Sequence, residues 1–296
     1  MDKLLTILKY IIAHPLGRRN KIKSVSRFIS WQLSSYLNPG EKIVSFFNGA
    51  KMVVKKNDTG VTGNIYVGIH DFYELSFALH FLAEKDIFVD VGANVGFYSI
   101  ILAKSKNIKS IAFEPIPSTY LKLEKNVKIN SLSDNIIIKK IAIGSSIGQL
   151  RMSSDLDTVN HVKLIESESN ADITVEVCDL DTIFCESEYP SFVKIDVEGF
   201  ETAVIGGMKN VLLSNNLKAI IIELNGSGGR YGYDESLIHQ TLLSHSFKPF
   251  NYDPFKRKLT ELNSYGSDNT LYLRDLNFIK NRLNVAPTFE VFGESM

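Results

Sequence analysis

Residues 88–99 read FVDVGANVGFYS, in which a carboxylate and two glycines stand between an apolar run and a helix-like pattern. Asp90 ends the apolar run, and Gly92 and Gly96 follow on either side of Asn94. Gly92 allows a tight turn and a close backbone approach, and Gly96 allows the next helix to pack closely. The free N–H groups at the start of that helix can donate to a ligand. Because Asn94 replaces the middle glycine of GxGxxG, the motif needs a second feature before it indicates a ligand.

That second feature is Glu114, which ends the next apolar run, IKSIAFE. An acid about one strand–helix unit after the glycines accepts both hydroxyls of an adenosine ribose and disfavours a 2′-phosphate. Asp90 is a poor neighbour for the diphosphate of NAD, but a good one for an ammonium group. We therefore expect S-adenosylmethionine, whose amino acid end carries such a group. The alternative is an ordinary strand–turn–helix in which the glycines serve packing alone.

Acids also follow two later apolar runs, VKID and AIIIELN. Asp196 ends the first run with Glu198 close behind, and Glu223 and Asn225 end the second. If these runs are neighbouring parallel strands, their ends meet at one edge of the sheet. A carboxylate there would take the proton of a weakly nucleophilic hydroxyl during methyl transfer. Asp196 is the first candidate, Glu198 and Glu223 are next, and Lys194 would hold an acid or steer the acceptor oxygen.

A divalent metal is a second interpretation of these acids. Oxygen ligands from Asp196, Glu223 and Asn225 suit Mg²⁺. We favour a metal-free site, because the acid and the amide of Glu-Leu-Asn are not adjacent. A third interpretation is that Asp196 and Glu198 only cap the next helix.

From about residue 85 the elements that would position these residues alternate between strands and helices. Strands are expected at IFVDVG, IKSIAFE, NIIIKKIAIG, SFVKID, LKAIIIELN, FKPFNYD and NTLYLRD, with a polar excursion over 145–172 and one continuous helix, FETAVIGGMKNVLLSN. Buried strands separated by helices indicate an α/β fold with a parallel, doubly wound sheet. Ligands of such sheets bind beyond the carboxyl ends of the strands.

FVDVGANVGFYSIILA, AFEPIPSTYLKLEKNVKIN and VKIDVEGFETAVIGG closely resemble, in this order and spacing, the FkbM family of S-adenosylmethionine-dependent methyltransferases. The resemblance runs from about residue 60 to about residue 275. It implies a class I methyltransferase (Rossmann-like) fold with a seven-stranded, mostly parallel sheet and an antiparallel last strand. It also implies O-methylation of a sugar hydroxyl in a bacterial glycan or its precursor. Carried over residue by residue, the cofactor site comprises Asp90, Gly92, Asn94, Gly96 and Glu114.

Residues 1–38 form a basic extension in which apolar residues at helical spacing predict two short amphipathic helices. The extension either packs on the main domain, which we favour, or rests on an anionic surface such as the inner face of a membrane. Residues 39–84 are expected to form a hairpin turning at Asn48-Gly49, a loop over 57–68 and a helix over about 71–83. Residues 85–296 form the methyltransferase domain.

The formal net charge of zero over 296 residues argues against a dedicated nucleic-acid binder. The cysteines, Cys178 and Cys185, form no metal-type pair and no disulfide framework, which favours a cytoplasmic location. The Gly-rich loop over 226–235, with Tyr231 and Tyr233, is either a lid over the acceptor or a plain loop. Two rival functions stay open: an NAD-dependent oxidoreductase or epimerase, and a non-catalytic cofactor-binding module.

Overall fold

The computed structural model describes residues 2–56, 58–153, 172–185 and 188–296. The N-terminal part contains helices α1 (Asp2–Ala13), α2 (Pro15–Arg19) and α3 (Lys21–Leu37), then strands β1 (Lys42–Ser45) and β2 (Lys51–Val54), then helices α4 (Thr59–Val67) and α5 (Phe72–Phe81). β1 and β2 pair as an antiparallel hairpin. Asn48 and Gly49 form its turn with φ values of 54° and 72°, in the left-handed region that Asn and Gly adopt more readily than other residues.

The rest of the described chain alternates strands and helices. Its elements are β3 (Ile87–Val91), α6 (Phe97–Lys106), β4 (Lys109–Phe113), α7 (Pro117–Ile129), β5 (Ile136–Lys139), β6 (Ala142–Ile143), β7 (Gly148–Ser153), β8 (Asp172–Cys178), α8 (Leu180–Phe184), β9 (Phe192–Ile195), α9 (Glu201–Gly206), α10 (Lys209–Leu213), β10 (Ala219–Glu223), α11 (Glu235–Ser244), β11 (Lys248–Asp253), β12 (Lys258–Glu261), β13 (Asn269–Leu273), α12 (Leu276–Val285), β14 (Glu290–Val291) and β15 (Glu294–Ser295).

The main sheet has the strand order β12-β11-β13-β10-β9-β3-β4-β5. Strands β10, β9, β3, β4 and β5 are parallel, whereas β13 is antiparallel to both of its neighbours. This order confirms the class I methyltransferase fold. The expected seven strands become eight in the described residues, because the chain after β11 folds back and adds β12 to the edge. The order reverses between β3 and β9, which opens a ligand crevice at their carboxyl ends.

Three sequence-based expectations about the elements are wrong. The segment 57–68, expected to be a loop, contains α4. The third expected strand divides into β5 and β6, and β6 joins β8 and β7 in a separate small sheet. The helix expected over 200–215 divides into α9 and α10, because Met208 between them has a non-helical backbone. The adjoining Gly207 lies close to the segment before β7, since a Cβ on it would lie 2.0 Å from the carbonyl oxygen of Gly144. Of the polar excursion, β7 is described, and residues 154–171 lie outside the described residues.

The N-terminal helices pack their inner faces on the main domain, as the favoured interpretation expects. Ile11, Leu16, Phe28 and Trp31 are buried in one hydrophobic cluster with residues of α5, α6 and β3. Arg19 of α2 also forms an ion pair, at 2.9 Å, with Glu294 of β15. Within the described ranges, no helix is both long and apolar enough to span a membrane.

Candidate active site

A cavity of about 380 Å³ opens beyond the carboxyl ends of β3, β4, β9 and β10. The sequence-predicted residues that line it are Asp90, Gly92, Asn94, Glu114, Lys194, Asp196, Glu198 and Glu223. Gly96 and Asn225 are not among its lining residues. The sheet thus brings both predicted groups, the glycine turn with its acids and the acids after β9 and β10, into one space.

The turn that contains Gly92 is held by hydrogen bonds to the end of β4 and lies in close contact with Asp196, the residue after β9. Gly92 has a φ of +79°. The N–H groups of Gly92 and Ala93 donate to the carbonyl oxygen of Phe113 at 3.1 and 2.9 Å. A Cβ on Gly92 would lie 1.9 Å from the carbonyl oxygen of Asp196, and one on Gly96 would lie 2.3 Å from Leu123 of α7. Both glycines therefore allow close approach of the protein itself, and Gly96 serves packing of α7 rather than the cavity.

Asp90 is only 1% exposed and lies at the floor of the cavity. The hydroxyl of Ser99 donates to its Oδ2 at 2.7 Å, and Ser110 donates in turn to Ser99 at 2.9 Å. Burial raises the pKa of Asp90, and the positive charge of Lys194 and the Ser99 hydrogen bond oppose that rise. A ligand cation would add to Lys194 in stabilising the ionised form.

Glu114 is oriented by two backbone donors. Asn94 N–H donates to Oε2 at 3.0 Å and Ile116 N–H donates to Oε1 at 2.9 Å. Each oxygen keeps a second lone pair, so two vicinal hydroxyls could still bind. Burial raises the pKa of Glu114 to about 7 despite these bonds. Asn94 contributes to this arrangement through its backbone N–H. Its φ of 50° is a left-handed conformation that Asn adopts more readily than most residues.

Strand register brings the second group of acids together. β9 and β10 pair in parallel with Ile195 opposite Ile222, so Asp196 and Glu223 both follow at the carboxyl ends. One carboxylate oxygen from each of Asp196, Glu198 and Glu223 lies within 4.8 Å of the others. Because like charges this close oppose ionisation, negative charge on Asp196 disfavours the ionised forms of Glu198 and Glu223.

Lys194 makes the surroundings of Asp196 different from those of Glu198 and Glu223, because it donates its hydrogen bond to Asp196. Its Nζ donates to Oδ2 of Asp196 at 2.7 Å. Burial alone would lower the pKa of Lys194, but the charges of Asp196 and Asp90 outweigh it and raise that pKa. Burial and the charge of Asp196 raise the pKa of Glu198 to about 7. Burial and the charges of Asp196 and Glu198 raise the pKa of Glu223 to about 8. Glu198 and Glu223 thus carry the protons near neutral pH.

Backbone geometry fixes Glu198 at the rim of this group. Glu198 has a φ of 55°, which is uncommon for a residue with a side chain and is associated with functional sites. Glu201 supports the turn, since its Oε1 accepts from Val197 N–H and Gly199 N–H, both at 3.1 Å. Gly199 has a φ of +100°, and a Cβ on it would lie 2.6 Å from the carbonyl oxygen of Ser227.

The loop over 226–235 is therefore anchored against the acidic turn. It contains a 3-10 turn over Ser227–Tyr231. Tyr231 and Tyr233 lie 5.7 and 6.2 Å, between ring centroids, from Phe200. Phe200 lines the cavity, whereas neither tyrosine does. The two tyrosines therefore pack on Phe200, which itself forms part of the cavity wall.

Asn225 is not part of the acidic group. Its Oδ1 accepts from Ser227 N–H at 2.9 Å, which turns it toward the loop. In the described chain, the metal-type cluster comprises Glu198 with Asp196 and Glu223, rather than the Asn225 set that the sequence suggested. The reason is local: the third oxygen comes from the left-handed turn after β9.

Several cavity residues escaped the sequence analysis. They come from α4, from the segment before α5 and from β13, and they are Gly60, Asn64, His70, Asp71 and Asn269. Asn269 lies directly opposite Glu223 in the antiparallel ladder. Among the described residues, Oδ1 of Asn269 and Oε2 of Glu223 are buried acceptors without a hydrogen-bond partner. Both are therefore available for donors of a ligand.

The chain is similar to curated and solved methyltransferases. It is 30% identical over 144 residues to hexuronic acid methyltransferase AglP of Haloferax volcanii, covering 48% of this chain and 57% of the relative. It is 27% identical over 118 residues to methyltransferase sdnD of Sordaria araneosa, covering 40% and 46%. The chain thus spans about half the length of these relatives.

Among solved structures, an FkbM methyltransferase of Methylobacillus flagellatus KT aligns with a TM-score of 0.43 at 16% identity, over 72% of this chain and 52% of the other. A tRNA (m1A22) methyltransferase-like protein of Streptococcus pneumoniae, in complex with S-adenosyl-L-methionine, aligns at 0.39 with 14% identity, over 68% and 72%. The model of the methyltransferase FkbM domain matches residues 90–249, which are more than half of the chain. The chain therefore belongs to the FkbM methyltransferase family.

Proposed function

We propose that this protein is an S-adenosylmethionine-dependent O-methyltransferase that acts on a sugar hydroxyl of a glycan or its precursor. The observation that carries the proposal is the carboxylate group of Asp196, Glu198 and Glu223, whose oxygens lie within 4.8 Å of one another. This group shares one cavity with Asp90 and Glu114. A proton acceptor and a cofactor-binding wall thus face the same space.

Cofactor binding would use the β3–β4 side of the cavity. Glu114 would accept the ribose hydroxyls, and Asp90 would stabilise the ammonium group. Gly92 and Asn94 would shape the turn between them. When bound, the cofactor supplies an electrophilic methyl group on a sulfonium. The rival NAD function gains no support here, because two buried carboxylates at this wall would repel a diphosphate.

Catalysis would use the β9–β10 side. In the transfer, a bond forms between the hydroxyl oxygen and the methyl carbon as the carbon–sulfur bond breaks, and the hydroxyl proton goes to a carboxylate. Glu223 suits the base, because its pKa of about 8 matches the demands of proton transfer near neutral pH. Asp196, which accepts a hydrogen bond from Lys194 at 2.7 Å, suits the residue that orients the acceptor hydroxyl. Glu198 is the alternative base, with a pKa of about 7.

A polyhydroxylated acceptor fits the hydrogen-bonding surface of this side. Asp196, Glu198, Glu223 and Asn269 together offer acceptors, and a sugar offers several adjacent donors. Leaving the buried oxygens of Glu223 and Asn269 unpaired is costly, and sugar hydroxyls would satisfy them. The hexuronic acid named for the Haloferax relative is one candidate class, and neutral sugars are another. We propose a cytoplasmic location, supported by the free thiols of Cys178 and Cys185.

The test is to incubate the purified protein with labelled S-adenosylmethionine and a panel of neutral sugars, uronic acids and extracted glycans. Mass spectrometry then locates the added methyl group. Methyl ethers that form with wild type and not with Glu114→Ala would support the proposal. Calorimetric binding of NAD, with no response to S-adenosylhomocysteine, would replace it with the oxidoreductase. Tight cofactor binding without transfer to any acceptor would favour the non-catalytic module.

The same assay tests the metal interpretation. We propose metal-free catalysis, because Lys194 already neutralises Asp196 at 2.7 Å, which weakens Asp196 as a ligand for a cation. Turnover should therefore survive prior treatment with a chelator. Loss of activity that only Mg²⁺ or Mn²⁺ restores would instead show that the three carboxylates hold a metal.

A further inference from the structure

Helix α3 has two apolar faces, and only one of them is covered. Its buried positions recur at helical spacing and comprise Ser24, Phe28, Trp31 and Ser35. On the opposite side, a second stripe is exposed to solvent: Ile22 (84%), Ile29 (49%), Leu33 (57%), Tyr36 (76%) and Leu37 (78%). We call these five residues the outer stripe of α3. Their spacing of seven, four, three and one residues also places them on one helix face.

Lysines border this outer stripe. Lys21 and Lys23, one residue before and one after Ile22, are both exposed. Each lies roughly a quarter turn of the helix from Ile22, on opposite flanks of the stripe. Long lysine side chains in this position can extend along an apolar surface and keep their ammonium groups in a polar layer. This is the arrangement of helices that lie in the plane of a membrane interface.

The charge of the chain is segregated in the same direction. Residues 1–38 contain seven Lys and Arg against one acidic residue, whereas the whole chain balances at zero. The remaining 258 residues therefore carry a net charge of −6. Such a molecule would turn its N-terminal face, and not its body, toward an anionic surface.

We propose that the outer stripe of α3 docks on the surface of an anionic lipid bilayer, with Lys21 and Lys23 at the headgroups. A second copy of the chain is a poorer occupant of the stripe. A parallel pairing of two α3 helices would bring these lysines close to their own copies, and like charges in apposition oppose association. An antiparallel pairing would place them at the far end of a partner helix that has no acidic residue to pair with them. An anionic bilayer complements both features, because its acyl chains accommodate the apolar stripe and its headgroups pair with the cationic borders. The proposal is independent of the acceptor, since none of these residues lines the cavity.

The test is flotation of the purified full chain with vesicles of equal parts phosphatidylglycerol and phosphatidylcholine, and with vesicles of phosphatidylcholine alone. Wild type should float with the anionic vesicles and dissociate as salt rises. Ile29→Ser/Leu33→Ser should weaken this binding by about tenfold or more. The matched control is Leu213→Ser/Val285→Ser, which removes two even more exposed apolar side chains (68% and 83%) from α10 and α12 and should bind as wild type.

A second pair of variants tests the charge. Lys21→Gln/Lys23→Gln should weaken binding to anionic vesicles on the order of tenfold, and Lys209→Gln/Lys280→Gln should not. Thermal unfolding midpoints report whether every variant is folded, whatever the cofactor proves to be. Failure of folded wild type to float would overturn the proposal. So would equal binding by the Ile29→Ser/Leu33→Ser variant, or a wild-type dimer in sedimentation that this variant abolishes without any vesicle binding.

Discussion

The ammonium group of Lys194 lies 2.7 Å from Oδ2 of Asp196, two residues further along the chain. The side chain of Lys194 is 5% exposed, whereas that of Asp196 is 33% exposed. A buried cation thus holds a carboxylate that reaches into the cavity. The negative charge of Asp196 favours the protonated forms of Glu198 and Glu223.

Replacement of Asp196 by Asn should separate acceptor chemistry from cofactor binding. The amide keeps the shape of the side chain but loses its charge, so affinity for S-adenosylhomocysteine should change by less than about threefold. Turnover should fall by about a hundredfold or more, because an oriented carboxylate contributes on that scale. Calorimetry and single-turnover methyl transfer measure the two quantities. Asn225→Ala, at a side chain outside the cavity, is the control, and undiminished turnover in Asp196→Asn would remove this residue from catalysis.

Methyl transfer should become faster as pH rises through the pKa of Glu223. Below about pH 7 this carboxyl, with its pKa of about 8, is protonated and cannot accept a proton. It is half ionised at about pH 8 and mostly ionised above about pH 9, so kcat/KM should reach a plateau there. Since the sulfonium charge stabilises the ionised form, the corresponding rise in kcat should lie at lower pH. Glu223→Gln should abolish the rise, and a profile unchanged by Glu223→Gln would point to Glu198.

Glu114 should determine cofactor affinity through its two remaining lone pairs. Glu114→Gln retains one acceptor oxygen and loses the charge, so the Kd for S-adenosylhomocysteine should increase by about ten- to a hundredfold. Asp90→Asn should act in the same direction through the ammonium group. Equilibrium calorimetry provides the Kd values, and thermal unfolding confirms the fold. Wild-type affinity in both variants would refute this cofactor site.

Gly92→Ala should damage both halves of the site at once. The residue has a φ of +79°, and its Cβ would lie 1.9 Å from the carbonyl oxygen of Asp196. The strain and the clash should lower the free energy of unfolding by more than about 2 kcal/mol. Gly229→Ala is the matched control, since a Cβ there meets nothing within 4 Å. Equal stability of the two variants would show that the contact relaxes without cost.

Glu201 should make the stability of the protein depend on pH. Burial raises its pKa to about 7, above the ordinary value of 4.5, so the folded state binds this proton more tightly than the unfolded state does. The penalty for ionising it is absent below about pH 4.5, develops between there and pH 7, and then stays constant at about 3 kcal/mol. Glu201→Gln should therefore stabilise the protein at pH 8 and not at pH 4. Denaturant titrations at both pH values measure this, with the exposed Glu261→Gln as control; equal effects at both pH values would contradict it.

Much of the proposed cofactor side of the cavity was predictable, because its sequence signals are local. The strand ending at Asp90, the glycine turn and Glu114 lie in short runs whose residue types dictate their conformation. The parallel topology then follows from the alternation of strands and helices. The convergence of Asp196 and Glu223 followed from that topology alone. Glu198 was a candidate because it closely follows Asp196, but its left-handed backbone was not predictable, since sequence favours that conformation at Gly or Asn rather than at Glu.

What sequence could not supply depends on tertiary contacts. α4 reads TGVTGNIYV, with two glycines and several β-branched residues, so its helix propensity is low and packing must stabilise it. The break between α9 and α10 arises where Gly207 meets a carbonyl group of a distant segment. Asn269 reaches the cavity because β13 pairs with β10. In this pairing Asn269 lies opposite Glu223, which is 46 residues earlier in the chain.

The family match covers residues 90–249, yet α4, the turn before α5 and the start of β13 complete the wall of the cavity. The cavity is thus formed partly by the family domain and partly by segments of the chain that lie outside the matched residues. If Glu114 binds the nucleoside as proposed, exchange of the stretch around Asn64 and Asp71 between family members should change acceptor preference and leave cofactor affinity unaltered.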